Sequence, residues 1–185
     1  MKGELLYRLS KDGKEYETFH KKCDNRGETL ILIKINENLI IGGYTSLNWD
    51  SSSKWKKDNN TFIFSLTHNK KYIKNNENSN SIYCLNSFGP MFDNLGFDEN
   101  KSMKEFKFNP QNSFLYSYEI FPETKNEIVY EVKEVEIYSL MIENNYIISQ
   151  YNIKSDKKGQ SVKIINSCFG EINELSCDLY LNNKK

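Results

Sequence analysis

His20 and Cys23 are the only histidine and cysteine close together in this 185-residue chain, and Asp24 follows at once. On a helix an i, i+3 pair are neighbours. The trio therefore invites a nucleophilic reading, with imidazole lowering the thiol pKa and carboxylate orienting the imidazole. The plainer reading puts ring and thiol in the core, where a cysteine behaves as a small inert hydrophobe, and the sequence favours it. A milder redox role, sacrificial oxidation of Cys23, Cys84 or another thiol, requires exposure and thiolate character.

Other chemistry finds less to work with. Zinc needs about four Cys or His ligands at short spacings, whereas His20 and His68 are the only histidines and Cys168 and Cys177 stand nine residues apart. No metal is expected. There is no Walker loop, GxGxxG, GxSxG or HExxH, so nucleotide hydrolysis, dinucleotide chemistry, serine hydrolysis and zinc proteolysis lack support, and no cofactor is expected. Glu119, Glu131, Glu134 and Glu136 form an acid–base set only if a cleft raises one pKa strongly. Although Glu134 and Glu136 share a strand face, the four read as ordinary strand surface. Gly42-Gly43 precede no helix start, so they read as backbone-shape residues and not as a phosphate cradle.

The segment 49–58 is richer. Trp49 and Trp55 bracket Asp50, three serines and Lys54, and Lys56-Lys57-Asp58 follow. Large aromatics beside cations are what recognition hot spots use, making Lys54, Trp55, Lys56 and Lys57 a candidate protein interface. The alternative has each indole plugging the loop onto the fold, Asp58 capping a turn and the lysines solvated.

Strands and one helix must position these groups. Leu5-Leu6-Tyr7 is a short first strand, closed by turn chemistry at Ser10-Lys11-Asp12-Gly13. Tyr16, Phe19, His20 and Cys23 fall at i, i+3, i+4 and i+7, which predicts a helix over 15–23 with Glu17, Lys21 and Lys22 toward water. Gly27 suits the left-handed position that stops it. Residues 29–35 and 39–45 are nearly all apolar and flank Asn36-Glu37-Asn38, an antiparallel hairpin buried on both faces. Its paired glycines predict a bulge or a close backbone approach. Further strands are expected at 61–67, 82–85, 105–108, 114–120 and 128–140, with an Asn-rich loop at 75–81. A bulge is expected near Lys133-Glu134, where the apolar alternation changes phase. Many short strands and a single convincing helix make the fold class mostly β with a few short helices, a two-layer antiparallel β-sandwich with one main N-terminal helix. Crossover helices are too few for parallel α/β.

The length suits one domain, which typically buries roughly 70% of its unfolded surface. Twenty-five basic residues balance 25 acidic ones, so nothing global draws the chain to nucleic acid or an anionic membrane. Neither a nucleic-acid partner nor direct membrane insertion is expected. Without a signal stretch, transit segment or long apolar span the chain reads as cytoplasmic, its cysteines as free thiols. Residues 1–140 read as the sandwich. Residues 141–185, with apolar runs at 146–151, 161–165 and 175–181, read as a C-terminal appendix, either extra strands or the start of a second module.

Thr18-Phe19-His20-Lys21-Lys22-Cys23-Asp24, then Gly42-Gly43-Tyr44-Thr45, then Trp49-Asp50 through Trp55-Lys56-Lys57-Asp58 follow one another at a spacing that resembles the TLDc domain family, typified by eukaryotic oxidation-resistance proteins. Leu5-Leu6-Tyr7-Arg8 before Asp12-Gly13, Gly89-Pro90 with Phe92, and Val132 through Tyr138 are similar to its other blocks, so the resemblance spans about residues 4–140. It implies a sandwich of two antiparallel sheets flanked by short helices. It also implies that Phe19, His20, Cys23, Asp24, Gly42, Gly43, Trp49, Asp50, Trp55, Asp58, Gly89, Pro90, Glu134 and Glu136 are mostly structural or interface positions. The family is associated with protection against oxidative stress and, in several members, with binding the peripheral sector of the vacuolar proton-ATPase; no settled enzymatic activity is implied. Three functions stand as expectations. The first is a non-catalytic interaction domain with a protein partner, the proton-ATPase peripheral subunits being the implied one, and recruitment to endolysosomal or vacuolar membranes through it. The second is thiol-based antioxidant activity through Cys23 and His20, and the third an adaptor module of a larger protein.

Overall fold

A computed structural model of the chain describes residues 2–36, 38–74, 79–93, 95–98, 102–109 and 127–141, and the backbone of two strands at 160–162 and 175–179. In chain order the elements are β1 (Lys2–Arg8), α1 (Leu9–Asp12), α2 (Tyr16–Cys23), β2 (Thr29–Asn36), β3 (Leu39–Thr45), β4 (Lys54–Lys56), β5 (Phe62–Ser65) and β6 (Lys70–Ile73). Then come β7 (Ile82–Cys84), β8 (Met91–Phe92), β9 (Leu95–Gly96), β10 (Glu105–Phe108), β11 (Ile128–Glu131), β12 (Glu134–Met141), β13 (Gln160–Val162) and β14 (Leu175–Leu179). Two six-stranded sheets form, ordered β1-β12-β2-β3-β5-β6 and β11-β10-β9-β8-β7-β4, and β13 with β14 makes a separate two-stranded ladder. All ladders are antiparallel. The fold is the mostly β, two-sheet sandwich that the strand pattern predicts.

The near-continuous apolar runs of the β2–β3 hairpin follow from burial on both faces of the first sheet. Ile31, Ile33, Ile35 and Ile41 enter the main core with Phe92, Leu95, Phe106 and Phe108 of the second sheet. The opposite parity, Leu30, Leu32 and Tyr44, joins Phe62, Phe64, Tyr138 and Leu140 in a second apolar cluster. The hairpin glycines carry no bulge: Gly42 and Gly43 pair in unbroken register with Leu32 and Ile31, and the irregularity lies at the turn end, between Lys34 and Asn36. The expected close approach is present, and aromatic rings make most of it. A Cβ on Gly43 would lie 2.5 Å from the Phe92 ring, and one on Gly42 would overlap the Phe64 ring and the Ile31 carbonyl.

The predicted strand over 128–140 is two strands in different sheets. Its phase change is therefore a sheet switch and not a bulge. The Val132 N–H donates to Lys104 O beside the second sheet at 2.7 Å, and the next amide, Lys133 N–H, donates to Lys34 O of the first at 2.8 Å. The turn expected at 10–13 is a single helical turn, α1, closed by Gly13 at φ 85°. Helix α2 buries Phe19, His20 and Cys23 as its spacing predicts. Beyond it the chain leaves through Asn25 at φ 58° and Gly27 at φ 76°. The strand expected at 114–120, the run at 146–151 and residues 75–78 of the Asn-rich loop lie outside the described residues.

Candidate functional site

Helix α2 carries the trio with which nucleophilic chemistry would begin. His20 Nδ1 lies 2.8 Å from Asp24 Oδ1, and Nε2 lies 2.9 Å from Phe88 O and 3.0 Å from Leu85 O. The ring thus fastens the end of α2 to the turn at 85–88. Its two nitrogens are engaged by these three acceptors, and no hydrogen bond between His20 and Cys23 is present among the described residues. Cys23 is fully buried. Burial above all, then the Asp24 charge, pushes its thiol well above the ordinary range, so it is held protonated at neutral pH. Cys84 is buried too, and desolvation raises it. The arrangement meets neither requirement of a reactive cysteine, exposure or thiolate character.

The other sequence-predicted positions divide into interior and surface. Trp49 is 1% exposed, set edge-on to Phe19 and Phe92, its Nε1–H donating to Thr29 Oγ1 at 2.8 Å. Asp58 is a buried hub. Its carboxylate accepts from Thr45 Oγ1, Ser46 N and Oγ, Asn60 N and Thr61 Oγ1 at 2.7–3.0 Å. Burial opposes its charge, but these donors outweigh it and hold the pKa below the usual carboxylate value. Gly89 is fitted under Phe97, Met103 and Tyr16, where a Cβ would sit 2.7, 2.8 and 3.1 Å from them. The Pro90 carbonyl accepts the Phe97 N–H at 3.2 Å.

Glu136 is not strand surface. It is fully buried, paired with the Arg8 guanidinium at 2.6 Å and accepting the Tyr138 hydroxyl at 2.7 Å. Its interior place follows from that satisfaction, since a buried carboxylate without a partner would be neutralised or expelled. Glu134 Oε1, half-buried, accepts the N–H of Ser10 and Val135. Glu131 is exposed beside Lys133, and Glu119 lies outside the described residues. His68 is exposed, its N–H on Ser65 Oγ.

Of the sequence-predicted aromatic positions, the one left at the surface lies at a corner of the second sheet. Trp55 is 42% exposed. It sits on the edge strand β4 directly opposite Tyr83 of β7, with ring centroids 4.5 Å apart and planes at 30°, and Phe88 meets Tyr83 edge-on at 5.1 Å. The half-buried Tyr83 and Phe88 were not among the sequence candidates. The alternation in Ile82-Tyr83-Cys84 signals that Tyr83 faces away from the core, but not that it meets Trp55. Lys54 and Lys57 are exposed, whereas Lys56 is tied to Asp50 Oδ2 at 2.6 Å and Asn48 O at 2.7 Å. Partial burial raises the Asp50 pKa, and the bonds from Lys56 and Ser52 together outweigh it, leaving it at about 2.

Between the sheets lies an apolar void of about 20 Å³ lined by Ile33, Ile41, Ile63, Phe92, Phe106 and their neighbours. It has room for about one water and no polar side chain to hold it, so it is not a substrate pocket. No helix among the described residues is long and apolar enough to cross a membrane.

The family model for the TLDc domain matches residues 1–183. Among curated proteins the chain is similar to the MTOR-associated protein MEAK7 of Danio rerio, 27% identical over 62 residues; the alignment covers 34% of this chain and 14% of the relative's length.

Proposed function

The chain belongs to the TLDc domain family, and on that premise we propose that it is a non-catalytic interaction domain whose docking face is the Trp55, Tyr83 and Phe88 corner of the second sheet. One observation carries the reading. Trp55 keeps 42% of its surface in water, while His20, Cys23, Trp49, Asp58 and Glu136 are buried, and the polar groups of His20, Trp49, Asp58 and Glu136 are hydrogen-bonded inside the fold. An exposed indole already packed against a second ring loses little freedom on binding, and tryptophan is among the residues most enriched at interface hot spots.

The finer assignment draws on the family resemblance. The partner is the peripheral sector of the vacuolar proton-ATPase, the setting is protection against oxidative stress, and the chain is cytoplasmic, brought to endolysosomal or vacuolar membranes by that partner. The Danio rerio relative is itself named for an association with MTOR, in keeping with a family that works by association. Thiol chemistry at Cys23 draws no comparable support, because its sulfur is buried and protonated.

Immobilised chain and its Trp55→Ala variant, incubated with solubilised proton-ATPase peripheral sector at low salt, test the reading. The native chain is expected to retain ATPase subunits, and the variant to retain them about tenfold less while melting normally, as loss of a hot spot implies. Equal retention by both would move the interface elsewhere. No retention by either would remove the ATPase as partner.

A further inference from the structure

We propose that the segment recognised at the Trp55 corner is acidic, an extended peptide carrying Asp and Glu on both sides of an apolar anchor. This rests on the interaction reading above and specifies its partner.

The charges around Trp55 carry the inference. Lys54 and Lys57 lie on either side of it in sequence, both exposed, and neither is ion-paired among the described residues. The cation between them, Lys56, is neutralised by Asp50 at 2.6 Å. Among the described residues, the carboxylates of the same loop and of the α2 exit beside it are engaged elsewhere: Asp50 by Lys56, Asp24 by His20 and Ser51, and Asp58 by its ring of donors in the interior. The chain as a whole has zero formal net charge, so this local excess is not the edge of a generally basic surface. Lys54 alternates with Trp55 on β4 and so lies on the other face of the sheet. A peptide laid along this outer edge, its anchor over Trp55 and its flanking carboxylates turned toward Lys54 and Lys57, meets the ring and both cations together, and complementary charge of this kind chooses between partners. A plainer account has the lysines only guarding an edge strand against pairing with another copy, and that account predicts no preference for acidic ligands. An anionic membrane is the weaker candidate, since segments that bind one cluster about four to eight basic residues.

Selection of a random displayed peptide library on the whole chain distinguishes these. Peptides enriched on the native protein are expected to place Asp or Glu within a few residues of an aromatic or leucine anchor. Their binding should fall about tenfold or more on Trp55→Ala and on Lys54→Glu/Lys57→Glu, and weaken steeply between about 0.05 and about 0.5 M salt. Selection on the Lys54→Glu/Lys57→Glu protein should instead enrich basic peptides, a reversal that a misfolded variant could not produce. Neutral or basic peptides that still need Trp55 would overturn the acidic partner and leave the docking face standing. Enriched peptides indifferent to Trp55, or no enrichment, would overturn both. Lysine-dependent adsorption to phosphatidylserine vesicles without peptide enrichment would assign the corner to a membrane surface and refute the proposal.

Discussion

Trp49, in the loop before β4, and Trp55, on β4 itself, stand six residues apart and do opposite things. Trp49 is enclosed by Phe19 and Phe92 with its indole N–H satisfied. The loop around it is sewn to the exit of α2 by a bridge to Asp24, by the Asn25 N–H on Trp49 O at 3.0 Å and by the Gly27 N–H on Asn48 Oδ1. Trp55 sits on the outermost strand of its sheet, and its single-residue offset from Lys54 and Lys56 turns the ring away from the core. What separates an anchor from a docking platform is whether edge-on rings and a hydroxyl acceptor meet the indole, or only one tilted tyrosine ring does. Residue type is the same in both.

The contrast breaks most visibly under truncation. Trp49→Ala empties a closed aromatic site and is expected to cost about 3–5 kcal/mol, the usual range for a buried aromatic. Trp55→Ala is expected to cost under about 1 kcal/mol, as surface changes do. Urea unfolding of the two variants measures the gap; similar midpoints would mean that Trp55 is structural as well. Glu136→Gln comes next. It sets a neutral amide against the Arg8 guanidinium, and about 3 kcal/mol is expected, the low end for breaking a buried pair because the Arg8 side chain is 24% exposed. An effect under about 1 kcal/mol would place Glu136 among ordinary surface pairs.

Asp58 extends the same contrast into pH. Its folded pKa lies below the unfolded value, so the unfolded state binds more protons in acid. The stability it contributes is fully present above the unfolded value of about 4 and drains as pH falls through the folded pKa. Asp58→Asn is expected to cost about 2 kcal/mol at pH 7, from lost charge-assisted bonds, and to flatten the acid limb of the melting-temperature profile below about pH 4. An acid limb unchanged in the variant would show that other carboxylates set it.

How much of this was readable beforehand varies with the range of the interaction. The buried face of α2 was legible because Phe19, His20 and Cys23 repeat at the helical period, a local signal, and the sandwich was legible from many short strands with one helix. The break at 132–133 was not. A bulge and a strand that changes sheets shift the apolar alternation identically, and only the two divergent amide bonds to Lys104 and Lys34 separate them. Glu136 reads as surface in the sequence for a related reason, since its partner Arg8 lies 128 residues away and nothing local marks the pair. In segment 49–58 both tryptophans were visible as candidates. Which one was the plug depended on the β4–β7 register, and a three-residue edge strand does not announce its register.

The smallest expected effect tests the outer half of the loop most sharply. Asp50 and Lys56 form a 2.6 Å pair whose side chains are 29% and 22% exposed. Though the Asp50 pKa sits at about 2, solvent screens so open a pair, and Lys56→Met is expected to cost under about 1 kcal/mol at pH 7. Because the folded carboxyl is the stronger acid, what the pair contributes is present above about pH 4 and fades as pH falls toward 2. Its geometric role is larger than its energetic one. The Lys56 ammonium also holds Asn48 O at 2.7 Å, joining the segment that anchors Trp49 to the strand that presents Trp55. Loosening that joint should leave the unfolding midpoint nearly in place while partner affinity drops about three- to tenfold, the signature of lost preorganisation. A loss of several kcal/mol of stability, with affinity unchanged in the folded fraction, would show instead that both halves of the loop serve the core and that the difference between the two tryptophans is one of exposure alone.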